Sequence, residues 1–443
     1  MLFFRFALEQ RGIRNPEDVL ALYRETASKL GDRNGDPALK TVEGWLYEGR
    51  KPQRAFRPVL TAMLGQSIDV LWTEVPAGAP PEYIPPNGKL RSSHAELGAG
   101  LIEMQRTGTM AVQRAKEFLL GKDRGTVGDD TLGLLDDEVS RLVRAYPREP
   151  LPAIWDDLLT TQEQVFRLLE GGRMKPSQLR DLYFKGAVLS FLVAKGFNDM
   201  QSPHQAMTMT RVAASCARDA EHPGLIALTD GLKSLIAYWA NKPDDAHHYA
   251  SQGFAEVNVS SLHGTVGPWL LGLQARSAAV LGDEETVRQT NELATDLRDK
   301  VTPDDLDALG GLFTYSRAKQ LYYTVESEAL LGRGDEQIAA QAEEAVRAFS
   351  DTASPDWAYG DLAGARCDLA MVRLHAGDVD GTAEAIRPVL DLPVTHRNNG
   401  IIVSALRVRH ALVQSPAITG RIARELRQEI DAFPASRPAL PAG

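Results

Sequence analysis

Residues 265–298 read TVGPWLLGLQARSAAVLGDEETVRQTNELATDLR and carry the clearest structural pattern of the chain. They hold an apolar segment, a Gly282-Asp283 pair and a second segment whose apolar residues recur at a period near 3.6. This pattern predicts two helices joined by a tight turn. Glycine accepts the left-handed conformation that ends a helix, and the following aspartate can cap the next helix.

The same arrangement repeats along the C-terminal part of the chain. Helix pairs are predicted to begin near six positions, at intervals of 41 to 48 residues: Pro176, Gly224, Thr265, Gly310, Asp356 and Asn398. The turns within the pairs are predicted at Gly334-Asp335, Gly377-Asp378 and a variant, Asn241-Lys242-Pro243-Asp244, besides Gly282-Asp283. Five residues after each turn Gly or Asn comes a small or β-branched residue: Ala246, Val287, Ala339 and Thr382. Because no pair can bury its apolar face alone, we expect an all-α fold in which the pairs stack into a solenoid.

This pattern resembles the tetratricopeptide (TPR) repeat over residues 176–433, with a period longer than the usual ~34 residues. The resemblance implies an extended concave surface formed by the first helix of each pair. Aromatic and arginine side chains on these helices are candidate ligand-binding residues: Tyr238, Trp239, Arg276, Arg317, Tyr322 and Arg366. With Arg407, four successive first helices each carry one arginine. The alternative interpretation is that these residues are core aromatics and ordinary surface arginines.

Five prolines between Pro76 and Gly88 mark the boundary between two parts of the chain. Because proline lacks a backbone N–H and restricts its predecessor, we expect a semi-extended linker there. The predicted organisation is a helix-turn-helix domain over 1–75, a linker over 76–92, a helical bridging region over 93–175, repeats over 176–433 and a disordered tail over 434–443. Within the bridging region, helices are expected over 93–121 and 130–172.

The composition of the 443 residues narrows the function classes. With 43% hydrophobic and 24% charged residues the chain reads as globular, and its net charge of −10 argues against a general polycationic coat. Residues 1–75 carry eleven Lys/Arg and ten Asp/Glu, so their net charge is +1 and that of the remaining residues is −11. A polyanion is therefore expected to bind the N-terminal part.

Several other classes of function find no support in the sequence. The two cysteines are predicted to be reduced cytosolic thiols, since they form no disulfide framework. No motif of an enzyme, of a metal site or of a cofactor site is recognised, and a membrane association is not expected. His247-His248 cannot share one ion in the way that an i, i+4 pair can. We therefore predict no catalytic residues, no metal and no cofactor, and a cytoplasmic protein.

The N-terminal part contains a second informative pattern. Asn15-Pro16-Glu17 predicts the start of a helix, because it combines a cap, a proline at the first helical position and an early acid. A shorter helix is predicted from Ala38 to Glu48, ended by Gly49, with one face apolar: Leu39, Val42, Trp45 and Leu46. Its other face is polar, and five basic residues against two acids lie within residues 40–57.

The stretch Thr41-Val42, Trp45, Gly49-Arg50-Lys51-Pro52, followed by LGQSIDVLW, resembles the lambda-repressor-like (Xre) helix-turn-helix. With a TPR-like C-terminal part, the layout resembles actinomycete Xre-type regulators and the RRNPP peptide-pheromone regulators. The resemblance implies a nucleoid-associated transcriptional regulator that binds double-stranded DNA as a homodimer and senses a peptide or small-molecule effector. Residues 15–39 are longer than the compact helix and turn of the family.

The resemblance assigns roles to eight residues of this sequence. Base-edge contacts fall to Lys40, Thr41, Glu43 and Gly44, with Tyr47 further along, and phosphate contacts to Arg50, Lys51 and Arg54. The alternative is that Lys40 and Glu43 form a solvated pair on a charged surface. In that case the chain is a TPR-like protein–protein scaffold with a degenerate helix-turn-helix.

Overall fold

The computed structural model describes residues 1–30, 36–53, 56–64, 66, 68–76, 128–171, 174–260, 264–416 and 420–433. Within these ranges the regular structure is helical apart from one isolated β-bridge between Leu2 and Glu74. The predicted all-α class is thus confirmed for the described part of the chain. The chain divides into two compact units, residues 1–117 and 118–443. Nearly all of the predicted linker, the predicted helix over 93–121 and the tail over 434–443 lie outside the described residues.

Unit 1 is a bundle of short helices around an aromatic core. The helices are α1 (Phe3–Gln10), α2 (Pro16–Leu30), α3 (Leu39–Tyr47), α4 (Arg57–Leu64) and α5 (Ile68–Leu71). The start of α2 is as predicted, because the Asp18 backbone N–H donates to Asn15 Oδ1 at 2.8 Å. The first residues pair with residues 73–75, where the Phe3 N–H donates to the Thr73 carbonyl at 2.9 Å. The beginning and end of the described unit are therefore held together.

Unit 2 consists of helices packed mainly against their neighbours in sequence. They are α6 (Asp129–Ala145), α7 (Leu151–Gly171), α8 (Pro176–Asp199), α9 (Pro203–Asp219), α10 (Pro223–Trp239), α11 (Pro243–Ser260), α12 (Val266–Leu281), α13 (Glu284–Arg298), α14 (Asp305–Leu309), α15 (Arg317–Leu330), α16 (Glu336–Ala348), α17 (Tyr359–His375), α18 (Val379–Leu390), α19 (Asn399–Gln414) and α20 (Arg421–Ala432). From α8 onward they form helix pairs, and the first helices of successive pairs also contact each other, as α10 does α12 and α15 does α17.

Most of the predicted pairs begin within three residues of the observed helices. The exception is the pair expected near Gly310, whose first helix, α15, begins only at Arg317. The short helix α14 and a 3₁₀ turn at Gly311–Phe313 occupy the intervening chain. The expected bridging helices of residues 130–172 are α6 and α7, and their buried residues share one apolar core with α8 and α10. In the described residues this region is thus part of the repeat body.

Two of the predicted Gly-Asp turns have the expected chemistry. Gly282 and Gly377 adopt left-handed backbones, with φ of 76° and 83°. Asp283 then accepts from the Thr286 N–H at 3.1 Å, and Asp378 accepts from the Gly381 N–H at 2.8 Å. The variant turn also behaves as expected, because Asn241 has φ 58°.

The predicted Gly334-Asp335 turn is only half right. Asp335 does cap α16, accepting from Ile338 N–H at 3.2 Å, but the left-handed residue is Gly332, with φ 82°. The extra turn residues shift the helix that follows, so the buried side chain is Ile338 and the expected Ala339 is only half-buried. Gly334 serves a close approach instead: a Cβ there would lie 2.6 Å from the Ala376 nitrogen.

Candidate functional site

The first candidate site is the outer face of α3 in unit 1. Val42, Trp45 and Leu46 point into the core, where the Trp45 ring lies 5.5 Å from that of Phe56. Helix α2 packs against both α3 and α4. The inner face of α3 is therefore as predicted, except for Leu39, which is exposed at the first turn of the helix.

The outer face of α3 carries three exposed side chains at helical spacing, those of Lys40, Glu43 and Tyr47, while Thr41 is half-buried. The face has partners from the rest of the unit. The Arg5 guanidinium lies 5.5 Å from the Tyr47 ring centre, and Arg5 also donates to Glu9 at 2.8 Å. The outer face is thus polar, exposed and mixed in charge.

Gly44 lies differently from the prediction. It was expected to leave room on the outer face, but it is buried, and the Arg50 side chain lies over it. A Cβ at Gly44 would lie 3.2 Å from Arg50 Cδ, so the missing side chain makes room for Arg50 and not for an external group. The Arg50 guanidinium remains exposed and pairs with Glu48 at 2.5 Å. Lys51 is exposed as well, whereas Arg54 lies outside the described residues.

The loop after α3 is fixed in place by two features. Gly49 ends the helix with φ 67°. The Trp72 indole N–H, which follows α5, lies 3.1 Å from both the Gly49 and the Arg50 carbonyl oxygens. Because Trp72 also stacks on Phe4 at 4.8 Å, the basic loop is held by the core of the unit.

The second candidate site is a cleft in unit 2 of about 1040 Å³, part of it open to solvent. Its walls come from α8, α10, α12, α15, α17 and α19, which are the first helices of the six pairs, and from residues 146–147 and 312–315. Nine aromatic side chains line it: Tyr146, Phe191, Trp239, Trp269, Phe313, Tyr315, Tyr322, Tyr323 and Tyr359.

Three of these aromatic rings sit against glycines in the middle of helices. A Cβ at Gly231 would overlap Trp269, and one at Gly364 would overlap Tyr322. A Cβ at Gly272 would lie 2.5 Å from the Tyr315 hydroxyl. Glycine within a helix costs roughly 1 kcal/mol relative to alanine. Each of these glycines therefore lowers the stability of its helix, but the absence of a side chain leaves room for an aromatic ring in the cleft wall.

Behind the aromatic wall lies a buried cluster of charges. Arg276 Nε is 2.6 Å from Glu326 Oε2, and Arg407 Nη1 is 3.0 Å from Glu326 Oε1. The Tyr238 hydroxyl donates to Glu326 at 2.7 Å and accepts from Arg407 at 2.6 Å. Burial acts to raise the pKa of Glu326, but the two guanidinium groups outweigh it and hold the pKa below its usual value. One carboxylate thus serves two cations.

Aromatic faces surround the guanidinium groups of this cluster. Arg276 Cζ lies 4.1 Å from the ring centre of Tyr323 and 4.5 Å from that of Tyr238, and Arg407 Cζ also lies 4.5 Å from the Tyr238 ring. Such contacts stabilise a cation more strongly when it is desolvated. The rings therefore help to keep both arginines charged inside the protein.

Two further ion pairs line the cleft itself. Lys319 Nζ is 3.2 Å from Asp361 Oδ2, and Lys195 Nζ is 2.5 Å from Asp199 Oδ1. Burial acts to lower the pKa of Lys319, but Asp361 raises it above its usual value, so the amine stays charged. Asp199 also accepts from the Tyr146 hydroxyl at 3.0 Å.

Two further buried polar groups lie near the cleft, those of Tyr315 and Asp368. Among the described residues, neither the Tyr315 hydroxyl nor Asp368 Oδ2 has a hydrogen-bond partner, and both residues are buried. Burial, and next the charge of Glu326, raise the pKa of Asp368 well above its usual range. Burial therefore favours the neutral form of Asp368.

The structure brings together some of the predicted ligand residues. Trp239, Arg276 and Tyr322 line the cleft, and Tyr238 lies behind it in the charge cluster. Arg317 instead lies on the surface, where it pairs with Asp299 at 2.8 Å, and Arg366 is half-buried outside the lining. Of the four arginines predicted on successive first helices, only Arg276 and Arg407 come together, and both pair with Glu326.

Sequence reasoning missed Lys319, Asp361 and Glu326. Lys319 and Tyr323 lie four residues apart on α15, and both line the cleft. This i, i+4 spacing on one helix face was the available signal. Nothing in the local sequence indicated that Glu326, on the same helix, would meet arginines 50 and 81 positions away.

Within the described ranges, no group of three or more His, Cys, Asp or Glu side chains is placed to hold a metal ion. Over the same ranges, no helix is long and apolar enough to cross a membrane. Comparison with protein-family models, with curated proteins and with solved structures gives no match to this chain.

Proposed function

We propose that the chain is a sequence-specific DNA-binding transcriptional regulator, with unit 1 as an Xre-type helix-turn-helix domain and unit 2 as a TPR-like ligand-sensing domain. The observation that carries the proposal is the two-faced helix α3. It buries Val42, Trp45 and Leu46 and exposes a polar face, beside a basic loop that Trp72 fixes. A rigid helix with an exposed polar face and adjacent cations is what a major-groove reader requires.

Each exposed residue of α3 has a role in the proposal. Lys40 donates to guanine O6 or N7, and Glu43 accepts from cytosine N4. Thr41 and Tyr47 extend the contact along the groove, while Gly44 acts through the Arg50 side chain that lies over it. Arg50, Lys51 and Arg54 contact phosphates and position the helix without specifying a sequence.

A single unit with about five basic contacts would bind weakly at cellular salt, because counterion release makes affinity fall as salt rises. We therefore propose a homodimer, with half-sites about 34 Å apart or a multiple of that distance. Ligand binding in unit 2 then alters the spacing of the two DNA-binding units. As a DNA-bound regulator, the protein would be associated with the nucleoid in the cytoplasm.

The test is gel retardation on fragments selected from the source genome, with and without culture extract. Lys40→Ala is expected to cost about 1–3 kcal/mol on the preferred sequence and to relax its base preference. Arg50→Ala is expected to weaken binding to every sequence alike. Arg167→Ala, which removes an equally exposed arginine from α7 in unit 2, is the matched control and should leave retardation unchanged.

The runner-up is a protein–protein scaffold with a degenerate helix-turn-helix. Two contacts favour it: Arg50 pairs with Glu48, and the Arg5 guanidinium lies over the Tyr47 ring. Both occupy side chains that the regulator proposal assigns to DNA contacts. If neither the parent protein nor the variants retard any genomic fragment at low salt, the regulator proposal fails and the scaffold stands.

A further inference from the structure

The cleft of unit 2 has the features of a site built for one class of small molecule. Its walls are mostly aromatic, and three of its rings occupy space that Gly231, Gly272 and Gly364 provide within helices. Ring faces at this density favour a planar apolar group, which can stack or meet them edge-on. The cleft is thus suited to an aromatic or similarly flat ligand.

Two buried arginines beside the cleft share one carboxylate. Arg276 and Arg407 both pair with Glu326, and Lys319 pairs with Asp361 in the cleft itself. Burial raises the pKa of the nearby Asp368 and so disfavours its charged form. Lys195 and Asp199 cancel each other. A buried charge without full compensation is destabilising. One negative charge in the cleft would offset that cost.

The Tyr315 hydroxyl is the independent sign of a ligand. Tyr315 is 2% exposed and lines the cleft. Its hydroxyl oxygen, which lies against Gly272 of α12, has no hydrogen-bond partner among the described residues. A buried hydroxyl without a partner has given up its hydrogen bonds to water without replacing them, which costs free energy. An acceptor on a bound molecule would remove this cost.

We propose that this cleft binds a small organic anion that combines a planar apolar ring system with one acidic group. The ring lies among Trp239, Trp269 and Tyr322, and the acidic group accepts from the Tyr315 hydroxyl and from Lys319. This assignment deepens the ligand-sensing part of the proposed function and rests on it for its regulatory meaning, whereas binding itself is measured without DNA.

The experiment uses two fluorescent probes of nearly the same shape on the full chain. 8-Anilino-1-naphthalenesulfonate carries one acidic group, and N-phenyl-1-naphthylamine lacks it. We expect the sulfonate to bind saturably at one molecule per chain, to raise the melting temperature and to bind at least tenfold more tightly than the neutral probe. Equal affinities of the two probes, or several sulfonate molecules per chain, would overturn the proposal.

A pair of variants locates the site. Tyr315→Phe keeps the ring and removes only the unpartnered hydroxyl, so the chain should fold and lose about tenfold in sulfonate affinity, the worth of a hydrogen bond to a charged acceptor. Tyr249→Phe, which removes a hydroxyl from α11 outside the cleft, should change nothing. If Tyr315→Phe binds the sulfonate as tightly as the parent, the cleft is not the site.

The outcomes separate this inference from the proposed function. If the protein binds both probes equally but still retards DNA, the proposed ligand class is wrong and the regulator proposal is unaffected. Saturable sulfonate binding in a protein that retards no DNA supports the ligand class and contradicts the regulator.

Discussion

At the scale of single residues, α3 illustrates what a sequence pattern can and cannot predict. Helical spacing predicted the buried Val42, Trp45 and Leu46, because burial along a helix follows its 3.6-residue period. The same spacing misjudged Leu39 and Gly44. Leu39 lies in the first turn of the helix and is exposed, and Gly44 is covered by Arg50 from the next loop. The 3.6-residue period predicts neither the exposure of Leu39 nor the cover of Gly44 by Arg50.

Glu43 is the residue whose replacement separates base reading from general attraction. We expect Glu43→Gln to raise affinity for arbitrary DNA, because it removes a negative charge from the face that meets phosphates. It should also reduce discrimination at one base pair by about 1–3 kcal/mol. Binding to the selected fragment and to a scrambled fragment at equal salt measures both effects. A uniform change for both fragments contradicts the role of Glu43 in reading cytosine.

Asp368 predicts a pH dependence of stability. Its pKa in the folded state is raised by burial and next by Glu326, above the value of about 3.9 expected in the unfolded chain. Between these two values the folded state binds more protons, so the free energy of unfolding falls as pH rises. Asp368→Asn removes this loss, since the amide is never charged.

We therefore expect the melting temperature of Asp368→Asn, relative to the parent, to rise between pH 4.5 and pH 8. One pKa unit corresponds to about 1.4 kcal/mol, and each 1 kcal/mol moves the melting temperature by about 2–4 °C in a domain of roughly 150–250 residues and by less in a larger unit. Asp296→Asn, at an exposed carboxylate of α13, is the control and should show no such trend. A constant difference at Asp368 would mean that its carboxyl is charged in the folded state.

At the scale of helices and turns, the repeat was predictable because its signals are local. A left-handed glycine and a capping aspartate act within a few residues of each other, and Gly282-Asp283 and Gly377-Asp378 do so. The turn at residues 332–335 misled the prediction because it contains two glycines with different tasks. Gly332 supplies the positive φ, and Gly334 lets the backbone at His375 and Ala376 come close.

These two glycines should respond differently to the same substitution. Gly332→Ala places a side chain in open space at φ 82° and should cost about 1–2 kcal/mol of backbone strain. Gly334→Ala would put its Cβ 2.8 Å from the His375 carbonyl carbon, against backbone that cannot rotate away. We expect it to cost more, about 3 kcal/mol, by urea unfolding. If the two substitutions cost the same free energy of unfolding, the backbone at residues 375–376 moves away from the new Cβ at little cost.

At the scale of the whole molecule, the cleft was out of reach of sequence reasoning. Its charge cluster joins Tyr238, Arg276, Glu326 and Arg407, which lie up to 169 positions apart. Repeat periodicity predicts that such helices are neighbours, but not which side chains of six first helices converge. The expectation of one ligand-facing arginine per first helix failed at Arg317 and Arg366 because the arginines lie at different positions along their helices. Arg317 is the first residue of α15 and Arg366 the eighth of α17, whereas Arg276 is the eleventh of α12.

The proposed dimer makes a prediction for the salt dependence of binding. Each phosphate contact contributes about 0.9 to the slope of log affinity against log salt. Arg50→Ala should therefore lower the slope by about 0.9 for a monomer and by about 1.8 for a homodimer, because both copies lose the contact. Arg167→Ala should leave the slope unchanged. A slope that Arg50→Ala does not alter would remove Arg50 from the phosphate contacts.

The central claim is that the outer face of α3 lies in the major groove. Glu43→Cys allows a DNA-cleaving iron chelate to be tethered to that face, because the native Cys216 and Cys367 are buried and burial raises the pKa of Cys216 to about 11. On a fragment that the parent protein retards, we predict strand cuts confined to a few base pairs in each of two half-sites, and none from the parent treated with the same reagent. Bound DNA that stays intact, or cuts spread evenly along it, would contradict the account.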